Sequence, residues 1–317
     1  MRIYMPTPFP SPLADVWPEG FELDQNDSGY CHSREEMKSH LDEADVVVLN
    51  LDDVFDMELI DASPNLKVIT LFAGSTYNID VDYAKSKGIA ICTVQGEIFE
   101  NTADLTFALL LAAARRIPEA DAYIRQGKYT QWHSNLFLGS DVYGKTLGIL
   151  GLGNIGAAVA RRAAGFGMDI IYNAARGSKP ELEKTLGCRY VSLDELISGA
   201  DYLSLHCKLN DSTRHIIDFK CLSRMKPGAY LINTGRGALV DEKALVRALE
   251  EKIIAGAGLD VFEYEPKVTE ALKKLPNVVM TPHLGASTKD NRLPMAGAVL
   301  KATLEALAAN SQPAGKP

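Results

Sequence analysis

Three side chains that could act together in proton transfer and anion binding follow three separate apolar runs in the second half of the chain. They are Arg236, Glu265 and His283. Taken singly, each has an ordinary structural explanation, because a loop arginine is usually solvated, a glutamate before a proline often belongs to a turn, and a lone histidine is usually satisfied within the fold. The carboxyl ends of parallel strands meet at one edge of a sheet, where ligands bind. If the runs are parallel strands, the three side chains predict one reacting site.

A glycine-rich loop predicts a second site at the same edge. It consists of Gly151, Leu152, Gly153, Asn154, Ile155 and Gly156. The apolar run 147–150 precedes the loop, and the helical pattern 157–165 follows it. In a dinucleotide-binding turn the first glycine allows the tight turn, the second lets the pyrophosphate approach the backbone, and the third lets the helix pack on the strand. The motif alone is weak evidence, but a strand before it and a helix after it indicate dinucleotide binding.

The end of the next strand bears on which dinucleotide binds. An Asp or Glu after the run 170–172 would bind the ribose hydroxyls of NAD, but Asn173 stands there instead. The loop residues expected at the cofactor are Ala174, Arg176, Ser178 and Lys179. The two cations among them could pair with a 2′-phosphate, which predicts NADP(H). The alternative is that these are solvated loop residues and that the cofactor is NAD(H).

Short β-rich runs alternate with longer helical patterns along the chain. The first series of runs is 2–4, 46–49, 68–71 and 89–92. The second series is 146–150, 170–172, 202–206, 230–233, 256–260 and 278–281. This alternation is typical of parallel βαβ units. We predict an α/β fold with two doubly wound, Rossmann-like parallel-sheet domains and the active site in the cleft between them.

Two further helical patterns suggest the domain boundaries. Residues 101–126 read as one helix that links the lobes, and residues 288–309 read as a last helix that cannot form a domain alone and should pack on the first lobe. We therefore assign residues 1–100 with 288–317 to a flavodoxin-like, substrate-binding domain. Residues 101–287 are assigned to a dinucleotide-binding Rossmann domain.

Composition narrows the class of protein. The chain has 317 residues, of which 46% are hydrophobic and 23% charged, so it can bury the cores of two domains. A net charge of −8 argues against a nucleic-acid or anionic-lipid partner. With no signal-like run and no apolar stretch of about 18 residues, we expect a cytoplasmic protein. The five cysteines include no C-x-x-C pair, so neither a disulfide framework nor a metal site is expected.

Several segments together resemble the D-2-hydroxyacid dehydrogenase family, and the resemblance covers nearly the whole chain. They are residues 144–149 before the glycine loop, the segment around Arg236, residues 256–261 and residues 281–283. Residues 102–110 and the run 114–120 are most similar to the glyoxylate/hydroxypyruvate reductase branch. The resemblance implies reduction of a small 2-keto acid to the D-2-hydroxy acid with a nicotinamide cofactor.

The resemblance also implies a role for each of the three opening residues. Arg236 would bind the substrate's carboxylate and keto oxygen, His283 would be the general acid, and Glu265 would pair with His283. Physical chemistry agrees, because arginine offers a planar fork of donors to a carboxylate. A neighbouring carboxylate raises the pKa of a histidine and keeps it protonated near neutral pH. His283 could then donate a proton as hydride reaches the carbonyl carbon.

Further cofactor positions follow from the resemblance. Asp260 matches the residue near the nicotinamide amide and Thr102 the one lining its ring, although both could instead serve as strand-end or helix-cap residues. The remaining cofactor positions are His206, Thr234, Gly235 and Gly285. Lys208 stands where the family usually has proline, and it could either add positive charge near the cofactor or be solvated.

In the first lobe the family holds the substrate carboxylate on the backbone of a glycine-containing loop. Gly74 and Ser75 occupy that stretch here, although Ser75 and Thr76 stand where the family usually has glycine and an aromatic residue. Trp132 and His133 follow the inter-lobe helix. They could reach the cleft of a partner subunit, as family dimers exchange such a segment, or they could pack in the core or on the surface. We expect a homodimer through the dinucleotide-binding domain.

Other functions remain possible at this stage. Gly74 stands where the phosphite branch has a lysine, and Glu265 where the formate branch has glutamine, which counts against both. Phosphoglycerate dehydrogenases usually carry a further regulatory domain, although short forms exist. D-lactate, D-glycerate or 3-phosphoglycerate specificity stays open. So does a non-enzymatic, dinucleotide-sensing corepressor, because fold does not fix function.

Overall fold

Two parallel sheets organise the chain. The structure is a computed structural model that describes residues 1–7, 16–50, 53–72, 76, 78–94 and 98–310. The chain divides into two compact units, Met1–Glu97 with Ser287–Pro317 and Ile98–Ala286, and each contains one sheet. Across the described residues, every helix is too short or too polar to cross a membrane. The cytoplasmic location expected from the sequence stays a prediction.

The first unit contains a five-stranded sheet. Its strands are β1 (Arg2–Met5), β2 (Glu22–Gln25), β3 (Val46–Leu49), β4 (Val68–Leu71) and β5 (Ala90–Thr93). They are all parallel in the order β2-β1-β3-β4-β5, which is the flavodoxin-like order. The apolar runs predicted four of the five strands. The edge strand β2 was missed, because its sequence Glu-Leu-Asp-Gln has no apolar run.

Short helices follow three of these strands. They are α1 (Arg34–Leu41), α2 (Met57–Asp61) and α3 (Val81–Ser86). A capping box begins α1, in which the Ser33 side chain accepts the Glu36 N–H and the Glu36 carboxylate accepts the Ser33 N–H. The helices bury apolar side chains against the sheet in a core that includes Leu41, Leu59 and Ala84.

The second unit contains a seven-stranded parallel sheet. Its strands are β6 (Thr146–Leu150), β7 (Asp169–Asn173), β8 (Cys188–Tyr190), β9 (Tyr202–Leu205), β10 (Tyr230–Asn233), β11 (Gly256–Leu259) and β12 (Val278–Met280). The order is β12-β11-β10-β9-β6-β7-β8, which is the dinucleotide-binding order with an additional strand. The order in which successive strands are added reverses between the neighbouring strands β6 and β9, so ligands are expected at the carboxyl ends of these two strands. The three-residue strand β8 was missed because Cys-Arg-Tyr has no apolar run.

Seven helices of the second unit have defined bounds. They are α4 (Ile98–Ala114), α5 (Ile117–Arg125), α6 (Asn154–Gly165), α7 (Pro180–Leu186), α8 (Leu193–Gly199), α9 (Phe219–Leu222) and α10 (Glu242–Glu250). Short 3₁₀ turns cover Gly237–Leu239 and Leu272–Lys274. The single helix predicted over residues 101–126 is wrong. It breaks at Arg116, whose φ is 53°, and restarts at Ile117 with Pro118 in its first turn, because a proline has no N–H to donate to the carbonyl four residues earlier and its ring clashes with that carbonyl.

The last helix, α11 (Lys289–Asn310), returns to the first unit and packs on β4 and β5. Its Thr303 hydroxyl lies 2.7 Å from the hydroxyl of Thr70, and both side chains are buried. The prediction that this segment packs on the first sheet is therefore confirmed.

Candidate active site

The glycine loop joins β6 to α6 beside the end of β9. Gly151 has a φ of 101°, and a Cβ there would lie 2.5 Å from the backbone nitrogen of Cys207. A Cβ at Gly156 would lie 2.2 Å from the Gly151 carbonyl oxygen, whereas a Cβ at Gly153 would meet no atom of the described residues within 4 Å. Two positions thus need glycine for close packing, and the third leaves open space above the backbone. This is the cradle that a pyrophosphate requires.

The start of α6 supplies donors to this space. Gly153 is the N-cap, and as a glycine it has no side chain that could cap the helix. The N–H groups of Asn154, Ile155 and Gly156 lie in the first turn, where helical N–H groups lack intrahelical partners. They give the helix start a positive partial charge that favours an anion. These residues fit the phosphates of a dinucleotide.

The loop after β7 is held by a carboxylate that no local pattern marks. Glu183 Oε1 accepts hydrogen bonds from the Tyr172 hydroxyl at 2.6 Å, from the Ser178 hydroxyl at 2.5 Å and from the Lys179 backbone N–H at 3.3 Å. These bonds lower the pKa of Glu183, the one from Ser178 most strongly. No Asp or Glu follows β7 directly, as the sequence indicates, but the Glu183 carboxylate reaches the loop from elsewhere in the chain. Glu183 belongs to α7, eleven residues beyond Tyr172, so its approach depends on the tertiary fold.

Two cations accompany this loop. Lys179 Nζ donates to the Leu152 carbonyl oxygen of the glycine loop at 2.5 Å, and Arg176 is exposed. Ala174 is half-buried and packs against the apolar core of the second unit. The loop therefore presents two positive charges beside the glycine turn, together with one carboxylate that already has three donors.

The ends of β9 and β10 contribute polar groups. His206 Nε2 lies 2.8 Å from the Ser204 hydroxyl, whereas its buried Nδ1 has no partner among the described residues. Burial lowers the pKa of His206 to about 3, so its ring is neutral. An unpaired buried nitrogen beside the glycine loop is a group that a bound ligand could satisfy. Directly after β10, the Thr234 side chain is buried, and its hydroxyl lies 2.8 Å from that of Thr106 on α4.

A histidine–carboxylate pair lies beyond β11 and β12. His283 Nδ1 is 2.9 Å from Glu265 Oε2, and the other carboxylate oxygen accepts the Phe262 backbone N–H at 2.8 Å. The hydrogen bond with Glu265 raises the pKa of His283 against the opposing effect of burial. Burial opposes ionisation of Glu265, but the bonds from His283 and Phe262 outweigh it, and the pKa of Glu265 is lowered. The expected direction of the His283 shift is confirmed.

Arg236 lies near this pair. Its charge lowers the pKa values of both His283 and Glu265, and its Nη1 donates to the Gly235 carbonyl oxygen at 2.7 Å. The side chain of Asn233 shapes the turn, because it accepts the Gly235 N–H and donates to the Arg236 carbonyl. The structure therefore brings the three residues singled out by the sequence to one edge of one sheet.

Asp260 organises the loop that carries His283. Its Oδ1 accepts the Thr281 hydroxyl at 2.6 Å and the Leu284 N–H at 2.7 Å, and its Oδ2 accepts the Gly285 N–H at 2.9 Å. Its carbonyl also accepts the His283 N–H at 2.9 Å. Burial raises the pKa of Asp260, although these bonds oppose the shift. Asp260 therefore has a structural role at a strand end, which is the alternative that the sequence left open. Its contact with the nicotinamide stays a prediction.

Thr102 lies beside this loop. A Cβ added at Gly285 would lie 3.2 Å from Thr102 Oγ1 and 3.4 Å from Asp260 Oδ2. Thr102, Gly285 and Asp260 are therefore neighbours, as a shared nicotinamide site would require. Lys208 is exposed. The predicted substrate residues Gly74 and Ser75 lie outside the residues that the structure describes.

The histidine–carboxylate pair also links stability to pH. The raised pKa of His283 stabilises the fold below the pKa of an unfolded histidine, and this contribution is lost as the pH rises through the raised value. The lowered pKa of Glu265 stabilises the fold above the pKa of an unfolded glutamate, and this contribution is lost as the pH falls through the lowered value. The pair is therefore most stabilising between the two unfolded values, at roughly pH 4.3 to 6.5.

We expect His283 to titrate above the ordinary histidine pKa in the ligand-free protein and Glu265→Gln to lower this pKa, because the neutral amide removes its main cause. NMR titration of the imidazole Cε1–H signal measures both values. Glu270→Gln, at an exposed carboxylate paired with Lys273, is the control and should leave the titration unchanged. An identical His283 pKa in wild type and Glu265→Gln would contradict the assignment.

Known proteins are similar to this chain in sequence and in fold. A profile of the NAD-binding domain of D-isomer specific 2-hydroxyacid dehydrogenases matches residues 107–285. The glyoxylate reductase of Thermococcus litoralis is 49% identical over 263 residues, which cover 82% of this chain and 79% of that protein. The crystal structure of a glyoxylate reductase from Paecilomyes thermophila is 37% identical with a TM-score of 0.84, covering 97% of this chain and 95% of that one.

A third relative has been solved with ligands. It is the NADPH-dependent glyoxylate/hydroxypyruvate reductase of Sinorhizobium meliloti in complex with NADP and malonate, with 32% identity, a TM-score of 0.81 and coverage of 97% of this chain and 93% of that one. The chain therefore belongs to the D-isomer specific 2-hydroxyacid dehydrogenase family and is an NAD(P)-dependent oxidoreductase.

Proposed function

We propose that the protein reduces a small 2-keto acid of the glyoxylate or hydroxypyruvate type to the D-2-hydroxy acid. The observation that carries the proposal is the Glu265–His283 pair beside Arg236, on the same sheet edge as the glycine loop. The similarity to glyoxylate reductases supports this substrate class. We assign cofactor binding to residues 101–287 and substrate binding to residues 1–100 with 288–317, where Gly74 and Ser75 are proposed to hold the substrate carboxylate.

Each of the three residues has a proposed task. His283 donates the proton to the keto oxygen, and Glu265 keeps it protonated and holds its ring through Nδ1, which leaves Nε2 for the substrate. Arg236 binds the substrate carboxylate through its planar donors. When bound, the nicotinamide cofactor supplies the hydride. Asp260 holds the loop in which His283 adopts a φ of 53°.

The activity test uses glyoxylate, hydroxypyruvate and pyruvate, with NADPH loss followed by absorbance. Wild type should turn over at least one of them. His283→Ala should lower kcat by about 10²- to 10⁴-fold without weakening NADPH binding, because only the proton donor is lost. Arg236→Ala should also raise KM, because the carboxylate loses its charged partner.

Arg189→Ala, which removes an exposed arginine on β8, is the control and should behave as wild type. Equal activity in His283→Ala and wild type would refute the roles assigned here. No turnover of any 2-keto acid by wild type would instead favour the corepressor alternative, in which dinucleotide binds without reaction.

NADP(H) is proposed as the preferred cofactor. The loop after β7 supports this preference, because Arg176 and Lys179 bring two positive charges and Glu183 is already engaged by three donors. The NADPH dependence of the Sinorhizobium meliloti reductase adds support. Ser178 is proposed to contact the cofactor as well, although its hydroxyl donates to Glu183.

Arg176→Ala should raise the KM for NADPH on the order of 10-fold and leave the KM for NADH nearly unchanged, because only NADPH has the 2′-phosphate. Lys179→Ala should raise both KM values, that for NADPH more strongly, because Lys179 also bonds the glycine loop. Steady-state kinetics with both cofactors measures this difference. Lys184→Ala, at an exposed lysine of α7, is the matched control. A wild-type preference for NADH would overturn the proposal.

We propose that two chains associate through the dinucleotide-binding domain. Exposed large apolar side chains on α5 and the segment after it support this surface. They are Ile117, Ile124, Tyr129, Trp132, Leu138 and Tyr143. Trp132 is 75% exposed in the single chain, so the alternative that it packs in the core of its own chain is wrong. Large apolar side chains that stay exposed along one segment of a chain are typical of protein interfaces.

Light scattering after gel filtration should find a dimer at micromolar concentration, and Trp132→Ser should shift it toward monomer, because the substitution removes the largest apolar side chain of the surface. Tyr30→Ser, at an exposed tyrosine of the first unit, is the control. A monomeric wild type would contradict the proposal.

A further inference from the structure

A second histidine–carboxylate pair lies beside the Glu265 loop. His215 Nε2 is 2.7 Å from Glu263 Oε1, and the Glu263 side chain is only 5% exposed. Neither residue has a part in the function proposed above. A buried carboxylate needs hydrogen-bond partners in any protein, so the pair alone does not indicate a role in the reaction. Such a role is indicated by the set of loops that the two residues connect.

His215 links the two loops that carry Arg236 and Glu265. Its backbone N–H donates to the Ala238 carbonyl oxygen at 2.8 Å, in the 3₁₀ turn that directly follows Arg236. Its side chain bonds Glu263, two residues before Glu265. One residue therefore contacts the turn after Arg236 through its backbone and the loop before Glu265 through its ring.

The conformation of His215 fits a residue held from both sides. Its φ of 53° lies in the left-handed region, which side chains with a Cβ disfavour. Such a conformation persists only when surrounding contacts fix it. Two residues further along, the Ile217 N–H donates to the Leu239 carbonyl oxygen at 3.1 Å. Residues 215–217 therefore lie alongside the 3₁₀ turn.

Glu242 closes this network from α10. Its carboxylate accepts the Glu263 N–H at 2.6 Å and the Thr269 hydroxyl, and its own N–H reaches Glu263 Oε2 at 3.4 Å. Each glutamate thus accepts the backbone N–H of the other. The two loops are in close backbone contact at Gly237, because a Cβ there would lie 1.8 Å from the Phe262 carbonyl carbon.

We propose that His215 is a positioning residue for the reaction: by joining the turn after Arg236 to the Glu263 carboxylate, it fixes the spacing between Arg236 and the Glu265–His283 pair. The inference rests on the proposed function, in which Arg236 holds the substrate and His283 donates the proton. Loss of the link should therefore affect substrate binding and proton donation together. It should leave the glycine loop, and with it cofactor binding, unchanged.

His215→Ala is the main variant, and His215→Gln is the conservative one, because a glutamine amide can donate to Glu263 near the position of the histidine Nε2. We expect His215→Ala to raise the KM for glyoxylate by about 10- to 100-fold, since small misplacement of binding groups is costly. The NADPH Kd should not change. His215→Gln should recover most of the loss.

The pH profile separates positioning from mere stability. The charged groups that act on His283 in the second unit are Glu265, Arg236 and Asp260. If Glu265 moves, its bond to His283 weakens, so the basic limb of the kcat/KM profile and the NMR titration of His283 should both shift to lower pH in His215→Ala. The control is His40→Ala, which removes an equally short bond, from His40 Nδ1 to Asp24 at 2.7 Å, in the first unit. It should alter neither.

The outcomes distinguish this inference from the proposed function. A wild type that reduces no 2-keto acid refutes the function, and the His283 titration in His215→Ala then decides the positioning role alone. A His215→Ala variant with a lowered Tm but unchanged KM and His283 titration overturns the inference. If His215→Ala does not fold, Glu263→Gln, which keeps the size of the side chain but removes its charge, should produce the same shifts in weaker form, and their absence would also overturn it.

Discussion

The hydrogen bond between His283 Nδ1 and Glu265 Oε2 is the interaction on which the rest of the second unit's edge depends. Burial alone would lower the pKa of His283, and the hydrogen bond with the Glu265 carboxylate reverses that shift. The two residues are eighteen positions apart, on loops that follow different strands. A proton donor that works near neutral pH therefore requires two loops held at hydrogen-bond distance, and neither loop has regular structure of its own to hold it there.

Buried carboxylates supply the rigidity that the loops lack. The Asp260 carboxylate accepts three hydrogen bonds from the His283 loop, and the Glu242 carboxylate accepts the Glu263 N–H of the Glu265 loop. Asp260 and Glu265 have pKa values shifted in opposite directions, because burial dominates at Asp260 and the bonds from His283 and Phe262 dominate at Glu265. The same side-chain chemistry thus serves as a loop anchor at one position and as a charged partner at the other. The difference comes from burial and donors, not from residue type.

Much of this arrangement could be predicted from the sequence. The glycine loop is local, so its spacing between an apolar run and a helical pattern identified it directly, and the crowding at Gly151 and Gly156 agrees with the proposed reason for each glycine. Arg236, Glu265 and His283 could be grouped because parallel strands end at one edge. The short strands β2 and β8 could not be found, since pairing with a neighbour makes them strands and their own residues are mixed in polarity.

Glu183 and His215 show why the rest of the site could not be predicted from the sequence. The role of each residue depends on partners in other elements: Tyr172 for Glu183, and Ala238 for His215. No periodic pattern in the sequence relates either residue to its partner. Such residues satisfy buried polar groups, which is a property of the assembled fold and not of a segment. Sequence motifs therefore locate the groups that meet a ligand, because several of them share a strand edge. The groups that hold those loops in position are scattered along the sequence. Only the tertiary hydrogen bonds between buried donors and acceptors define them.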